Sequence, residues 1–285
     1  MRRYLAEFLS DPLVVQLPRF LWLPILHGVI LRTRPGKSAQ KYQAIWTAEG
    51  SPLAVHTKRQ AALLQQLLPD KKIEYAMRYG GPGVREVKDT MPEDTLVLPL
   101  YPQYADSSTG SVLALLSHRQ PAVRDFHDHP AYIGALASLM EKHWAANGRG
   151  ERLVMSFHGL PQRAVDRGDP YRDQCLRTAQ LLSEKLSLSK HQFIVTFQSR
   201  FGAAKWLQPH TEPTLVSLAE KKIKRVDVIC PGFVSDCLET LEEIGIAARK
   251  AFMRAGGEQF RLIPCLNESP EWIAALAAIS GRTGP

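Results

Sequence analysis

Short apolar runs alternate along the chain with segments in which apolar residues recur every three or four positions. The runs are rich in Val, Ile, Leu and aromatic residues and each leads into a turn, which is typical of strands that precede helices. We predict strands at residues 73–78, 95–101, 152–157, 192–197, 226–230 and 260–264. We predict helices at residues 57–68, 110–117, 132–147, 171–186, 215–220, 237–255 and 271–279. This alternation predicts an α/β fold with a parallel sheet.

The most apolar stretch is FLWLPILHGVIL at residues 20–31, which is too short to span a bilayer and contains Pro24 and His27. Two interpretations of it are open. It is either a buried helix or an exposed apolar surface that meets a greasy ligand or a membrane. The basic N-terminus has no apolar run directly behind it, so it does not resemble a secretory signal peptide.

Composition and charge favour some classes of binding partner over others. A chain of 285 residues with 45% hydrophobic and 22% charged residues can bury a full core. The net charge of +8 suits an anionic ligand or an acidic membrane surface. Nucleic acid is disfavoured, because the basic residues are scattered and no nucleic-acid-binding motif is visible. The cysteines lack CxxC spacing, which predicts reduced thiols in a cytoplasmic protein.

Polar side chains follow most of the predicted strands. Ligands collect beyond the carboxyl ends of strands in open α/β sheets, so we expect these side chains to converge on one cleft. They are Arg78 and Tyr79; Tyr101, Gln103 and Tyr104; His158; Gln198, Ser199 and Arg200; and Ser235, Asp236 and Glu239.

His158 is the first candidate for chemistry. It follows an apolar strand and precedes a Gly-Leu-Pro turn, which places an imidazole at the edge of the sheet. A neutral imidazole can accept a proton or ligate a metal near neutral pH. The alternative is a histidine that is hydrogen-bonded at a turn without any chemical role.

Acidic residues open the predicted helix at residues 237–255. Spacings of three and four place Asp236, Glu239 and Glu243 on one helical face, where they could conduct protons or pass on a hard cation. Asp236 and Glu239 also have the spacing of a capping box, which leaves Glu243 unexplained. The segment His127-Asp128-His129 is a poor chelating arrangement, and we interpret it as the entry to a helix.

Several segments together resemble the ferrochelatase family. The resemblance extends over almost the whole chain and is far more specific than any single motif. The central blocks are SFHGLP at 156–161, GDPY at 168–171, TFQSRFG at 196–202 with Trp206-Leu207, and CPGFVSDCLETLEEI at 230–244. GSPL at 50–53, AMRYGGP at 76–82, LPLYPQY at 98–104 and LNESPEW at 266–272 also fit.

The resemblance implies a chelatase-like fold of two Rossmann-like lobes, each with a parallel sheet flanked by helices. The lobes would comprise residues 1–130 and 131–285, with the last helix packing back on the first lobe. The implied reaction inserts Fe²⁺ into protoporphyrin IX to form haem b, which makes the protein a lyase. It would act as a cytoplasmic monomer, in peripheral contact with a membrane and without nucleic acid.

The resemblance also implies roles for individual residues. His158 would face the pyrrole nitrogens, and Glu239 would remove protons or deliver metal from the opposite side, so both would act in catalysis and metal binding. Asp236 and Glu243 would form a relay behind Glu239. The implied porphyrin-binding residues are Arg78, Tyr79, Tyr101, Gln198, Ser199, Trp206 and Phe233.

The chain departs from the family pattern at three points. Family members begin with an apolar strand and a Leu-Gly-Thr-Pro-like turn, whereas this sequence begins inside what resembles the following helix at residues 2–11. We therefore expect a central strand and a cleft loop to be missing from the first lobe, and two explanations are open: a misassigned start codon or a truncated copy. Cys237 stands where some relatives have histidine, which would change proton handling rather than identity. The cysteine-rich C-terminal tail of some members is absent, so we expect no iron–sulfur cluster and no cofactor beyond the iron substrate.

Two other functions are compatible with the sequence. One is a catalytically inactive truncated copy that binds porphyrin or haem, suggested by the expected loss of the first strand. The other is a chelatase for a different metal or tetrapyrrole, such as a sirohydrochlorin cobaltochelatase. Activity and metal preference distinguish them.

Overall fold

A parallel four-stranded sheet organises the second half of the chain. The structure is a computed structural model that describes residues 1–202 and 204–281. Its strands are β1 Arg152–His158, β2 Phe193–Gln198, β3 Arg225–Ile229 and β4 Gln259–Leu262, in the spatial order β2-β1-β3-β4. Five consecutive residues of β1 are buried, as expected for a central parallel strand covered on both faces. The predicted α/β class is confirmed.

Helices surround this sheet and form most of the first half of the chain. The α-helices are α1 Arg2–Leu9, α2 Arg19–Ile25, α3 Leu31–Gln43, α4 Pro52–Leu67, α5 Val84–Val87, α6 Ser111–Leu113, α7 Pro130–Asn147, α8 Gln162–Asp166, α9 Tyr171–Lys185, α10 Thr211–Glu220, α11 Arg249–Arg254 and α12 Pro270–Ser280. Wider π-helical segments, whose hydrogen bonds reach the fifth residue, are π1 Leu26–Ile30, π2 Asp106–Gly110 and π3 Glu239–Ala248.

The strands predicted at 73–78 and 95–101 are wrong. Within the described residues, the first segment forms one bridge, Met77 to Gly83, and the second forms one bridge, Val97 to Ala122. A strand needs a continuous ladder with a neighbour, and a single bridge does not provide it. The implied sheet of the first lobe is therefore not present among these residues. The helix predicted at 110–117 also differs from the structure. Its first residue belongs to π2, and the α-helix that follows, α6, already ends at Leu113.

One hydrophobic core crosses the boundary implied between the two lobes. Leu64, Ala105 and Phe126 from the first half are buried in the same cluster as Trp272 and Leu276 from α12. The last helix packs against both α4 and α7. The division at residue 130 stays a prediction, and residues 203 and 282–285 of the second implied lobe lie outside the described residues.

The apolar stretch at residues 20–31 has one buried and one exposed face. Trp22, Leu26 and Leu31 are buried in a small separate cluster with Leu5 and Leu9 of α1. The opposite face is exposed, with 77% of the surface of Phe20 and 54% of that of Leu21 accessible. Within residues 1–202 and 204–281, no helix combines the length and apolarity that crossing a membrane would require.

A buried ion pair fastens this N-terminal cluster to the rest of the molecule. The Arg78 guanidinium donates to the Asp11 carboxylate, which also accepts from Tyr79 Oη at 2.8 Å and Ser111 Oγ at 2.7 Å. The backbone N–H of Leu13 donates to the other carboxylate oxygen at 2.9 Å. Burial raises the pKa of Asp11, but the hydrogen bonds from Ser111, Leu13 and Tyr79 and the charge of Arg78 outweigh it, so the pKa lies below its ordinary value.

Replacement of this carboxylate is expected to destabilise the fold in a pH-dependent way. Because the pKa of Asp11 is lowered on folding, its stabilisation is present above the ordinary value of 3.8 and is lost as the pH falls through the folded-state pKa. Asp11→Asn should lower the free energy of unfolding by about 3 kcal/mol at neutral pH. Urea unfolding followed from neutral to acidic pH should show this difference shrinking below pH 3.8.

The matched control is Asp70→Asn, which changes an exposed carboxylate in the loop after α4 and should leave the free energy of unfolding within about 0.5 kcal/mol. An Asp11→Asn effect that is equally large at neutral and acidic pH would contradict this account of the ion pair.

Candidate active site

His158 is the last residue of β1, at the carboxyl end of the sheet, and its backbone pairs with Gln198 of β2. The ring is half-buried, and its centroid lies 6.3 Å from that of Phe233. Trp206 lies on the same side, since Pro161, three residues beyond His158, forms a bridge with it. The structure thus brings His158, Phe233 and Trp206 together at the predicted edge.

A carbonyl oxygen fixes the tautomer of His158. Its Nδ1 lies 2.6 Å from the backbone oxygen of Gly159. The oxygen can only accept a hydrogen bond, so Nδ1 carries the proton in the neutral ring and Nε2 keeps a lone pair. A ring held in this way is suited to accept a proton or bind a metal through Nε2.

Gly159 is required by the close approach of β2. A Cβ atom at this position would lie 2.4 Å from the backbone oxygen of Gln198 and 3.2 Å from the Trp206 ring. The backbone N–H of Gly159 also donates to that oxygen at 2.7 Å. The glycine after His158 therefore allows the turn that positions the imidazole.

Glu239 is the first residue of π3 and is half-buried. Its backbone oxygen accepts a 2.8 Å hydrogen bond from Gln198 Nε2, while Gln198 Oε1 accepts one from Ser156 Oγ at 2.7 Å. Gln198 is itself buried, with 4% of its surface exposed. This predicted porphyrin-binding residue joins the strand of His158 to the helix of Glu239.

Buried phenols and a thiol surround the Glu239 side chain. Burial, followed by the Glu239 charge and a hydrogen bond to its carboxylate, raises the pKa of the Cys237 thiol, which stays protonated and donates. Burial and then the Glu239 charge raise the pKa of Tyr42 to about 12, although a hydrogen bond with Tyr4 opposes this. Burial, with a contribution from Glu239, also raises the pKa of Tyr4. These three neighbours of the carboxylate are therefore neutral.

Tyr101 lies near Glu239 and Arg78. Its surface is 36% exposed. Its pKa is raised, chiefly by burial and then by the charge of Glu239, against the opposing charge of Arg78. The structure thus brings Tyr101 and Arg78 to the neighbourhood of Glu239, while the porphyrin contact of Tyr101 stays a prediction.

The other two carboxylates of the predicted stripe are held by hydrogen bonds. Asp236 is buried and accepts from Thr240 Oγ1 at 2.9 Å and Asn267 Nδ2 at 2.7 Å. Glu243 accepts from the backbone N–H and the hydroxyl of Ser199, both at 2.6 Å. The capping box is not formed, since Leu238 is the N-cap of π3 and no side chain caps it. The relay role of Asp236 and Glu243 stays a prediction.

Arg78 and Tyr79 are largely engaged with Asp11 and Ser111. Arg78 Nε donates to the backbone oxygen and the hydroxyl of Ser111, at 3.0 and 2.6 Å. One terminal nitrogen, NH1, is buried without a hydrogen-bond partner. That nitrogen is the part of Arg78 left for a ligand. Tyr79 donates to Asp11, so its hydroxyl is already used.

The part of the chain that the structure describes contains no ready-made metal cluster. Within the described residues, no group of three or more His, Cys, Asp or Glu side chains is arranged to hold a metal ion. His127 pairs with Asp125 at 2.8 Å, and His129 caps α7 by accepting from the Ala131 N–H, so the segment is a helix entry as expected. Any metal held by His158 and Glu239 therefore needs further ligands from a substrate or from water.

Tyr4 and Tyr42 were not among the residues predicted from the sequence. Their rings lie 6.4 Å apart, edge to face, on α1 and α3. Tyr4 forms an aromatic pair with Phe8, four residues further along α1, and this spacing was the available signal for it, because it places both rings on one helical face. Tyr42 contacts Trp46, which lies beyond the end of α3, so helical spacing gave no signal for Tyr42.

Comparison with known proteins places the chain in one family. The family model described as Ferrochelatase matches residues 1–283. The ferrochelatase of Methylibium petroleiphilum is 57% identical, over 99% of this chain and 82% of its own length. Those of a Polaromonas species and of Bordetella pertussis are 53% and 51% identical, each over 99% of this chain and 82% and 83% of their own lengths.

Solved structures show a similar fold at much lower identity. CbiX, described as the terminal enzyme for siroheme biosynthesis in denitrifying bacteria, has a TM-score of 0.56 and 16% identity, covering 83% of this chain and 95% of its own. SirB from Bacillus subtilis with Fe³⁺ has a TM-score of 0.53 and 14% identity, covering 81% of this chain and 92% of its own. These likenesses confirm the chelatase-like fold.

Substitution of Gly159 is expected to disturb the site by steric contact. The added Cβ of Gly159→Ala would meet Gln198 O at 2.4 Å, so β1 and β2 must separate at His158. We expect the free energy of unfolding to fall by about 1–3 kcal/mol in urea titrations. Gly134→Ala is the matched control, because no atom lies within 4 Å of its Cβ position in α7, and it should raise that free energy by about 0.5–1 kcal/mol. Equal effects of the two substitutions would rule out the steric explanation.

Proposed function

The chain belongs to the ferrochelatase family, and from that premise we propose that His158 and Glu239 perform metal insertion in this protein. The protein is a ferrochelatase, a lyase of haem biosynthesis that inserts Fe²⁺ into a porphyrin. Relatives at 51–57% identity carry this name, so neither a cobaltochelatase nor an inactive haem-binding copy is favoured. The reaction replaces two pyrrole N–H protons by one divalent cation, and the enzyme must therefore provide proton acceptors.

His158 is suited to work on the pyrrole nitrogens. The observation that carries this role is the 2.6 Å bond from Nδ1 to the Gly159 carbonyl, because it leaves the Nε2 lone pair available. Nε2 would accept a pyrrole proton or ligate the entering iron. Phe233 and Trp206 beside it offer flat apolar surfaces for a macrocycle.

Glu239 is suited to accept a proton or to carry the divalent cation. Its carboxylate is surrounded by the neutral groups of Cys237, Tyr42 and Tyr101, whose raised pKa values keep them protonated. A carboxylate with neutral neighbours can accept a proton or ligate a divalent cation through its oxygens. We place Glu239 as the acceptor of a pyrrole proton or the carrier of iron, with Asp236 and Glu243 behind it.

Arg78 and Tyr101 would contact the acidic edge of the porphyrin. The buried NH1 of Arg78 has no hydrogen-bond partner and would donate to a propionate. Tyr101 is accessible and lies near both Arg78 and Glu239. Protoporphyrin IX is the porphyrin we propose, and Fe²⁺ is the metal substrate. We propose no resident cofactor or iron–sulfur cluster.

The exposed face of α2 and π1 would lie on an acidic membrane surface, from which a greasy porphyrin can be taken up. Phe20, Leu21, Ile25 and Val29 are each at least 47% exposed there. Exposed basic residues adjoin them at Arg19 and Arg32. An apolar surface flanked by positive charge suits anionic lipid. We propose a cytoplasmic monomer that contacts the membrane in this way and does not bind nucleic acid.

Loss of either proposed catalytic group should abolish turnover. The assay is anaerobic insertion of Fe²⁺ into protoporphyrin IX, followed by the loss of porphyrin fluorescence. His158→Ala and Glu239→Gln should each reduce the rate at least about a hundredfold, because each removes a proton acceptor or metal ligand. Porphyrin binding, measured by absorbance, should persist in both variants.

Glu242→Gln is the control on the same helix, since Glu242 pairs with Lys41 at 2.8 Å instead of facing the cleft tyrosines. Its rate should stay within about twofold of the parent, as for a partly exposed ion pair. Binding without turnover in the parent chain would instead favour the inactive porphyrin-binding copy. Faster insertion of Co²⁺ into sirohydrochlorin would favour the other chelatase.

Membrane contact is tested separately by sedimentation with lipid vesicles. The double substitution Phe20→Ser with Leu21→Ser should weaken binding to phosphatidylglycerol vesicles by about tenfold or more, because two large apolar side chains no longer enter the lipid. Leu176→Ser, at a 45% exposed leucine of α9, should leave binding unchanged. Equal binding by both variants would refute this surface as the contact.

A further inference from the structure

A second cavity lies away from the cleft, between α7, π3 and β4. Its volume is about 450 Å³. Leu241, Phe260 and Leu262 form apolar parts of the wall, and His143, Arg249 and Arg261 form polar ones. This size suits a small organic molecule, and none of these residues belongs to the proposed metal-insertion site.

Arg261 lines this cavity, and one nitrogen of its guanidinium has no hydrogen-bond partner. Its Nε donates to Asp227 Oδ1 at 2.7 Å, and its NH1 donates to the backbone oxygen of Asn147. The remaining nitrogen, NH2, is buried and has no hydrogen-bond partner. A buried N–H group without a partner is costly, and such groups commonly mark a place where water or an ion binds.

His143 adds a second unused polar atom. Its Nε2 is also buried without a hydrogen-bond partner. Burial lowers the pKa of His143, and the charge of Arg261 adds to this effect against the opposing charge of Asp227. The ring is therefore held neutral by surroundings that an additional anion would change.

The Asp227 carboxylate, which pairs with Arg261, already has its hydrogen bonds. Asp227 is 1% exposed, and its Oδ2 accepts from Trp144 Nε1 and from the Gly150 N–H, both at 2.8 Å. Its charge is balanced by Arg261 in a buried ion pair. Arg249, which lines the cavity and is exposed, is not balanced by Asp227. The cavity thus carries excess positive charge.

We propose that this cavity binds the oxyanion of a small organic molecule, either a carboxylate or a phosphate group. Arg261 NH2 and the Arg249 guanidinium would donate to the anion, and His143 would hydrogen-bond to it through Nε2. The apolar residues Leu241, Phe260 and Leu262 would contact the rest of the molecule. The cavity borders π3 at Leu241 and Gly245 and the start of α11 at Arg249, so the ligand would touch the helix that begins at Glu239.

The test uses the imidazole of His143 as a local probe in the full-length chain. Proton NMR of the histidine rings identifies its resonance as the one that disappears in His143→Gln. Titration with benzoate, acetate or inorganic phosphate should shift this resonance and raise the pH midpoint of the ring, because a bound anion stabilises the imidazolium. Arg249→Gln should weaken the affinity about tenfold.

Arg254→Gln is the matched control, since Arg254 is an exposed arginine at the other end of the same helix, α11, and does not line the cavity. Its affinity should equal that of the parent. Tighter binding of benzoate than of acetate or phosphate would identify an organic carboxylate, and tightest binding of phosphate would identify a phosphate group. No shift with any of the three anions, or an equal loss in Arg249→Gln and Arg254→Gln, would overturn the proposal.

Discussion

The buried amide of Gln198 is the interaction on which the geometry of the site depends. Its oxygen accepts from Ser156 on β1, and its nitrogen donates to the backbone of Glu239. The same residue pairs with His158 along β2. Since both halves of one planar group are used, the end of the strand and the start of the helix are held at a fixed spacing. The relation between imidazole and carboxylate is thereby set by the backbone rather than by either functional side chain.

The N-terminal helices α1 and α3 form a second layer near Glu239. Helices α1 and α3 bring Tyr4 and Tyr42 over Glu239, and the ion pair between Asp11 and Arg78 holds this layer in place. The phenols remain neutral because burial raises their pKa values. Side chains from sequence segments that are distant from Glu239 therefore contribute to its surroundings.

The sequence was most informative where the structure is locally determined. The strands of the sheet were predicted to within one or two residues, because each contains a short run of apolar residues, which in the central strand β1 is buried on both faces. The segments 73–78 and 95–101 have the same pattern, but pairing depends on a neighbouring strand that the pattern does not report. The π-helical geometry after Leu238 was also missed, since apolar periodicity does not distinguish hydrogen bonds to the fourth residue from those to the fifth. Tyr4 and Tyr42 reach Glu239 through tertiary packing alone.

The shared core described above limits the ways in which a large planar ligand can enter and leave. Separation of the two implied lobes at residue 130 would pull Phe126 away from Trp272 and expose apolar surface on both lobes. The N-terminal layer has a small core of its own, made by Leu5, Leu9, Trp22, Leu26 and Leu31. Displacement of this layer would break the hydrogen bonds around Asp11 and the edge contact of Phe8 with Tyr79, but it would leave the shared core intact. The face that this layer turns to solvent carries the exposed side chains of Phe20 and Leu21.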